Sequence, residues 1–228
     1  MNIVILTGAG ISAESGLATF RAADGLWEEH RIEDVATPEG FRADPALVHR
    51  FYNERRAKAR AARPNAAHEA LARLQGDPRH RVTIVTQNVD DLHERGGASA
   101  VIHMHGGLET ALCAACGHRW PAPAEMAPAD PCPRCARPAT RPDIVWFGEI
   151  PYRMDEIAEA LEAAELFAAI GTSGNVYPAA GFVELAAATG ARTIELNLDA
   201  SSRSSVFDEA RRGPATQLVP DWVDALIG

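Results

Sequence analysis

Four cysteines carry the most specific spacing in this chain. Cys113-x2-Cys116-x15-Cys132-x2-Cys135 forms two CxxC pairs and uses every cysteine present. Four thiolates at such spacing suit a tetrahedral zinc ribbon, and a filled sulfur shell makes the metal structural, not catalytic. Two disulfides in a secreted protein are the alternative. The start does not read as a secretory signal: it lacks a basic n-region, and its apolar run, Ile3 to Leu6, is short. A ribbon can also grip nucleic acid, and this one carries His118, Arg119, Arg134, Arg137 and Arg141. The formal charge of −9, from 22 basic and 31 acidic residues, argues against nucleic acid and against anionic membranes.

Three further clusters could do chemistry. Gly8-Ala9-Gly10-Ile11-Ser12-Ala13 fits G-x-G-x-x-[G/A]. Gly8 would permit a tight turn, and Gly10 would let the backbone approach a pyrophosphate at a helix N-terminus. A ligand-free glycine turn gives the same pattern. No acid sits at a strand end about 20 residues on, so this is not the usual dehydrogenase fingerprint. Thr86-Gln87-Asn88-Val89-Asp90 could read an amide and a ribose, or could simply form an Asx turn with Asp90 capping a helix. His103-Met104-His105-Gly106 places two histidines at i and i+2, on one face of a strand. A neutral imidazole is a fit general base, although a lone histidine is more often a satisfied interior residue.

The elements that must hold these groups alternate strand and helix. Strands are expected at Asn2–Thr7, Val82–Thr86, Val101–Met104, Ile144–Phe147, Leu166–Ile170, Arg192–Asn197 and Gln217–Val219. Helices are expected at Asp44–Arg60, Asn65–Leu74, Asp155–Ala164, Pro178–Thr189 and Asp221–Ile227. From Cys113 to Pro142 periodicity disappears, as in an inserted module. The pattern predicts an α/β fold with a parallel doubly wound sheet. With 228 residues and 46% apolar composition the chain can bury a core without disulfides. Its longest uncharged stretch, Leu166 to Val183, is broken by glycines, Asn175 and Pro178 and is no membrane span. The expected location is the cytoplasm.

Taken together, these segments resemble the sirtuin family, the NAD-dependent protein lysine deacylases. GAGISAESGLATFR (Gly8 to Arg21), TQNVDDLH (Thr86 to His93), His105-Gly106, the four cysteines, IVWFGE (Ile144 to Glu149), GTSGNVYPAA (Gly171 to Ala180) and ELNLD (Glu195 to Asp199) stand in family order over almost the whole chain. The resemblance implies a single catalytic domain over residues 1–228. Its Rossmann-like large part would span residues 1–21, 64–105 and 144–228. The small part would combine helices from 22–63 with the zinc ribbon of 106–143 and one structural zinc ion.

The resemblance also implies roles. NAD would lie between the two parts. Gly8, Ala9, Gly10, Phe20 and Arg21 would hold the pyrophosphate and close over it. Gln87 and Asn88 would meet the nicotinamide ribose, and Asp90 the nicotinamide amide. Gly171, Thr172 and Ser173 would line the phosphate and adenosine side, Asn197 the adenosine ribose, and Ala215 the adenine. An acylated protein segment would add as a strand between Phe147-Gly148-Glu149 and Gly174-Asn175-Val176. His105, the histidine preceding Gly106 at the family spacing, would be the base that deprotonates a ribose hydroxyl. Products would be lysine, nicotinamide and O-acyl-ADP-ribose.

Tyr52 and Arg55 share a helix face at i and i+3, and an arginine fork beside a phenol is a receptor for a carboxylate. By resemblance this is the Tyr-x-x-Arg pair of class III sirtuins, which take succinyl, malonyl or glutaryl lysine. Succinyl, malonyl and acetyl groups are therefore the expected substrates. The alternative on the same fold is mono-ADP-ribosylation of proteins. A non-catalytic NAD sensor is disfavoured by the presence of His105, Asn88 and Asp90 together. A monomer is expected.

Overall fold

The computed structural model describes residues 1–19, 26–27 and 30–228. β1 (Asn2–Thr7) opens into the one-turn helix α1 (Gly10–Ala13). A short hairpin follows, β2 (Leu26–Trp27) with β3 (His30–Arg31), then α2 (Ile32–Val35) and α3 (Pro38–Ala43). α4 (Pro45–Ala61) begins where Asp44 accepts from the Leu47 N–H at 2.8 Å and Pro45 supplies its pre-set φ at the first position. α5 (Ala66–Gly76) begins with Asn65 and His68 in a reciprocal capping box.

β4 (Arg81–Thr86), α6 (Leu92–Arg95) and β5 (Val101–His103) complete one half of the main sheet. A separate antiparallel sheet follows in the order β7-β6-β8, from β6 (Gly106–Cys113), β7 (Arg119–Pro121) and β8 (Thr140–Ile144). The chain then returns through α7 (Met154–Glu162), β9 (Leu166–Ile170), α8 (Phe182–Ala188), β10 (Arg192–Asn197), β11 (Glu209–Arg212) and α9 (Ala215–Ile227).

The main sheet has six strands, all parallel, in the order β11-β10-β9-β1-β4-β5. Alternation along each strand feeds two cores. Ile3, Ile5, Ile84, Ala168 and Ile194 pack under α5 and α9. Val4, Leu6, Val85, Phe167 and Ala169 pack under α7 and α8. The expected doubly wound architecture is therefore present. The chain starts in the middle of the sheet and builds outward in both directions. The order reverses between β1 and β9, and in such sheets ligands bind at the carboxyl ends of the strands at that point. A third core joins α2 and α4 to the antiparallel sheet through Val35, Val48, Phe51, Leu108 and Trp146.

Two expected strands are corrected. Ile144–Phe147 is not a strand: only Ile144 ends β8, and the chain then leaves the ladder. The Val145 N–H donates to the His105 carbonyl at 2.9 Å, and the Phe147 N–H to that of Ala36 at 2.9 Å. Gln217–Val219 is helical and lies within α9, which continues through Pro220. Val219, Trp222 and Val223, with Leu218 and Leu226, form one apolar stripe against the core, and that burial outweighs the hydrogen bond Pro220 cannot donate. The last strand is instead Glu209–Arg212, a charged edge strand with no apolar alternation to announce it. Expected helix Pro178–Thr189 is a 3-10 turn (Ala179–Gly181) followed by α8.

Candidate active site

At the reversal point the loop after β1 meets the loop after β9. The Gly8 N–H donates to the Ile170 carbonyl at 3.0 Å and the Gly10 N–H to that of Gly171 at 2.8 Å. A Cβ on Gly10 would stand 2.7 Å from the Gly171 Cα, and one on Gly171, at φ +63°, would stand 2.4 Å from the Ile11 nitrogen. The glycines thus let two loops pack backbone to backbone. The helix does open at Gly10, as a single turn, and the Gly10 N–H is spent on this junction.

Beside these loops lies a cavity of about 880 Å³, a size suited to a large ligand. Gly8, Ala9, Gly10, Gln87, Asn88 and Asp90 border it, as do Gly171, Thr172, Ser173, Asn197 and Ala215. Phe20 and Arg21 lie outside the described residues. The polar groups are wired together. Gln87 Nε2 donates to Thr172 Oγ1 at 2.9 Å, and Asn197 Nδ2 donates to the Thr172 carbonyl at 2.7 Å. Ser12, inside the glycine motif but given no role by the sequence, is a hub: its hydroxyl donates to Asp90 Oδ2 at 3.2 Å and accepts from Asn88 Nδ2 at 3.2 Å. Asp90 Oδ1 accepts from the Leu92 N–H at 3.1 Å, so the Asx-turn reading and the cavity-lining position hold together. Burial raises the Asp90 carboxyl above its ordinary value.

The two histidines part company. His103 faces two acceptors: the Asn88 carbonyl at 3.2 Å from Nδ1 and Glu94 Oε1 at 2.8 Å from Nε2. Burial opposes its charge, but Glu94 and the carbonyl overcome that and raise its pKa, so its charged form is favoured between the two acceptors. His105 borders the cavity. Its Nδ1 faces only the Gln87 carbonyl, at 3.2 Å, an acceptor that assigns the hydrogen to Nδ1 and leaves Nε2 bare. Burial lowers its pKa, so the ring is neutral at pH 7. A bare, neutral imidazole nitrogen is a general base.

α4 presents Tyr52 and Arg55 to the same cavity. The Arg55 guanidinium stacks 4.0 Å from the Trp27 ring centroid. Tyr52 is fully buried; its hydroxyl accepts from Trp146 Nε1 at 3.1 Å, and burial raises its pKa, keeping it a phenol. Phe147, Gly148, Glu149, Asn175 and Val176 also border the cavity; Gly174 does not, and its carbonyl accepts from the Ser202 hydroxyl at 2.7 Å. Glu149 turns its side chain back onto Arg141. Trp27, Ala36 and Trp146 line the cavity without having been singled out. Trp27 and Ala36 stand in segments with no motif to mark them, whereas Trp146 lies inside IVWFGE.

The four cysteine sulfurs lie within 4.8 Å of one another, with Cys113–Cys135 at 3.7 Å and Cys116–Cys132 at 3.8 Å. Sulfurs about 2.3 Å from one tetrahedral zinc stand about 3.8 Å apart, whereas a disulfide would need about 2.05 Å. The residues fit a single structural zinc site.

A profile of the Sir2 family matches residues 8–178. The NAD-dependent protein deacylase of Caulobacter vibrioides is 54% identical, over 100% of this chain and 97% of its own. The NAD-dependent protein deacylase of Escherichia coli (strain K12) is 56% identical, over 99% and 82%. Among solved structures, a Sir2 homolog–NAD complex is 38% identical with a TM-score of 0.91, over 99% of this chain and 89% of that one. A complex of Sir2 with a p53 peptide and NAD+ is 27% identical with a TM-score of 0.83, over 99% and 94%.

Proposed function

The chain belongs to the Sir2 family, and from that premise we propose that it is an NAD-dependent protein lysine deacylase whose acyl site accepts succinyl and malonyl as well as acetyl groups. The observation that carries this is His105, neutral and bare at Nε2 on the wall of a cavity shared with the Gln87–Asp90 loop and with Tyr52 and Arg55. NAD would be held by these residues as co-substrate and would supply an electrophilic ribose carbon, with nicotinamide as its leaving group, and a ribose hydroxyl to receive the acyl group.

The chain's own residues do the rest. Gly8, Ala9 and Gly10 with Gly171, Thr172 and Ser173 form the wall for the phosphates and adenosine, and Asn197 and Ala215 frame the adenosine end. Gln87 and Asn88 orient the nicotinamide ribose, and Asp90 receives the amide. His105 Nε2 takes the proton of a ribose hydroxyl. The two parts expected from sequence, with residues 22–63 and 106–143 as the small one, frame the cleft.

The protein partner is an acylated lysine segment lying between Phe147–Glu149 and Gly174–Val176. The Phe147 and Glu149 N–H groups already donate within the chain, to Ala36 and Trp146. A strand added there draws on the Gly148 and Glu149 carbonyls and the Gly174 and Val176 N–H groups. Backbone pairing explains tolerance of many sequences around one lysine. The carboxylate of a succinyl or malonyl group meets the Arg55 fork and the Tyr52 hydroxyl. ADP-ribosyl transfer needs no such receptor.

The test is a mass-spectrometric assay on one peptide carrying succinyl-lysine and on its acetyl twin, with and without NAD. The expected result is NAD-dependent loss of both groups with formation of O-acyl-ADP-ribose. Arg55→Met should cut desuccinylation far more than deacetylation, since losing one partner of a desolvated charge pair costs about 2–5 kcal/mol. Equal loss on both substrates removes the carboxylate role from Tyr52 and Arg55.

A further inference from the structure

Arg141 stands on β8, paired with the β6 strand that ends in Cys113, and does not border the cavity. It is 9% exposed, an uncommon place for a guanidinium. Its two terminal nitrogens hold Glu149 as a fork, at 2.7 and 3.0 Å, and Nη2 also donates to the Ile144 carbonyl at 2.7 Å. The flat of the guanidinium lies 3.5 Å from the Trp146 ring centroid. Glu149 in turn accepts from the Trp146 N–H at 2.9 Å. Burial alone would raise the Glu149 carboxyl, but Arg141 and that N–H hold it below its ordinary value, so the pair stays ionised. Trp146 is thus held at its backbone by Glu149 and across its ring by Arg141.

What Trp146 does with its edge follows. Its Nε1 donates to the Tyr52 hydroxyl at 3.1 Å and takes up one oxygen lone pair. A hydroxyl that accepts on one side turns its own proton elsewhere, and hydrogen bonds in such a chain polarise one another. The phenol, kept neutral by burial, is left as a donor to the cavity it borders.

We infer that Arg141 is a positioning residue for the acyl site: through Glu149 and Trp146 it orients the Tyr52 hydroxyl as a donor, and so couples the zinc-bearing sheet to selection of acidic acyl groups. The inference rests on the carboxylate-receptor reading of Tyr52 and Arg55.

The test uses the full, zinc-loaded chain and the succinyl and acetyl peptide twins. KM and kcat are measured for each peptide and for NAD. Arg141→Met should raise KM for the succinyl peptide by about tenfold, a shift of one hydrogen-bond's size, and raise the acetyl KM less. KM for NAD should not move. Arg141→Lys, which keeps the charge but not the fork, should restore part of the loss. Trp146→Phe keeps a ring against Arg141 but removes Nε1–H, and should lower the succinyl-to-acetyl ratio of kcat/KM. An unchanged ratio in Arg141→Met overturns the inference. Should that variant not fold or not hold zinc, an unchanged ratio in Trp146→Phe overturns it instead. Arg55→Met separates the premise: if it harms both substrates equally, the carboxylate reading has failed. The inference about acidic acyl groups then falls with it, whereas a lowered succinyl-to-acetyl ratio in Arg55→Met beside an unchanged one in Arg141→Met refutes the positioning role alone.

Discussion

A histidine works as a base only if one ring nitrogen carries no hydrogen and the ring is uncharged where the enzyme operates. The Gln87 carbonyl meets the first condition for His105 and burial meets the second. Because burial lowers the pKa, the inactive protonated form gathers only on the acid side. The profile of kcat/KM against pH should therefore stay flat down through neutrality and fall with a midpoint below 6.5, the ordinary histidine value. A midpoint above 6.5 would assign the limb to another group. His105→Ala should abolish turnover and leave zinc content and ADP-ribose binding in place, which isothermal titration would measure; retained turnover in the folded variant removes His105 from the reaction.

Among the elements, the junction of the β1 and β9 loops leaves no room for a side chain. Gly171→Ala must place a methyl 2.4 Å from the Ile11 nitrogen at a positive φ. Overpacking and left-handed strain together should cost about 2–4 kcal/mol, read as a lowered melting temperature, and should weaken ADP-ribose binding as the loops part. Gly190 also has a positive φ, +90°, but nothing lies within 4 Å of its missing Cβ. Gly190→Ala should cost only the backbone strain, about 1 kcal/mol. Equal costs at the two sites would show that steric contact at the junction is not the limiting factor. The antiparallel sheet makes a parallel argument. It carries Cys113 at the end of β6 and Arg141 on β8, so chelating the zinc should weaken acyl-peptide binding more than ADP-ribose binding. Equal weakening of both would contradict that division.

For the molecule as a whole, His68 and His93, with ring centroids 5.0 Å apart, are buried together as neutral rings. Burial lowers His68 to about 4, and burial first, with the neighbouring His68 and His103 second, lowers His93 to about 3. His93 Nε2 lies 2.9 Å from the Thr7 hydroxyl. Both folded values lie below the unfolded one, so the unfolded chain binds more protons as pH falls from about 6.5, and stability is lost in that direction. At pH 5, about 1.5 units below the unfolded value, each ring should cost roughly 2 kcal/mol. Asp90, raised by burial, acts in the opposite sense and offsets part of this. Urea midpoints should therefore be lower at pH 5 than at pH 7.5; equal midpoints would contradict the buried neutral state.

Some of this was legible in residue order alone. Strands such as Leu166–Ile170, buried on both faces, are continuous apolar runs, and each short-range device is local: the Asn65 cap, the CxxC pairs, Pro45 at the start of α4. Those signals depend on neighbours in sequence, so they survive without a fold. The edge strand Glu209–Arg212 and the helix through Pro220 were not legible, because the first is held by pairing with β10 and the second by a core formed from distant residues. The same holds within the site. The resemblance singles out His105 by its place before Gly106, but only the fold shows that Glu94 favours charge on His103 while the Gln87 carbonyl leaves His105 Nε2 without a hydrogen. Gly10 reads as a phosphate-loop glycine, and only the fold shows that its N–H is given to Gly171, distant in the chain. Residue types and spacing determined which chemistry was present; only packing between distant segments decided which atoms were left free to perform it, since a hydrogen-bonding group already engaged across the fold cannot also serve a ligand.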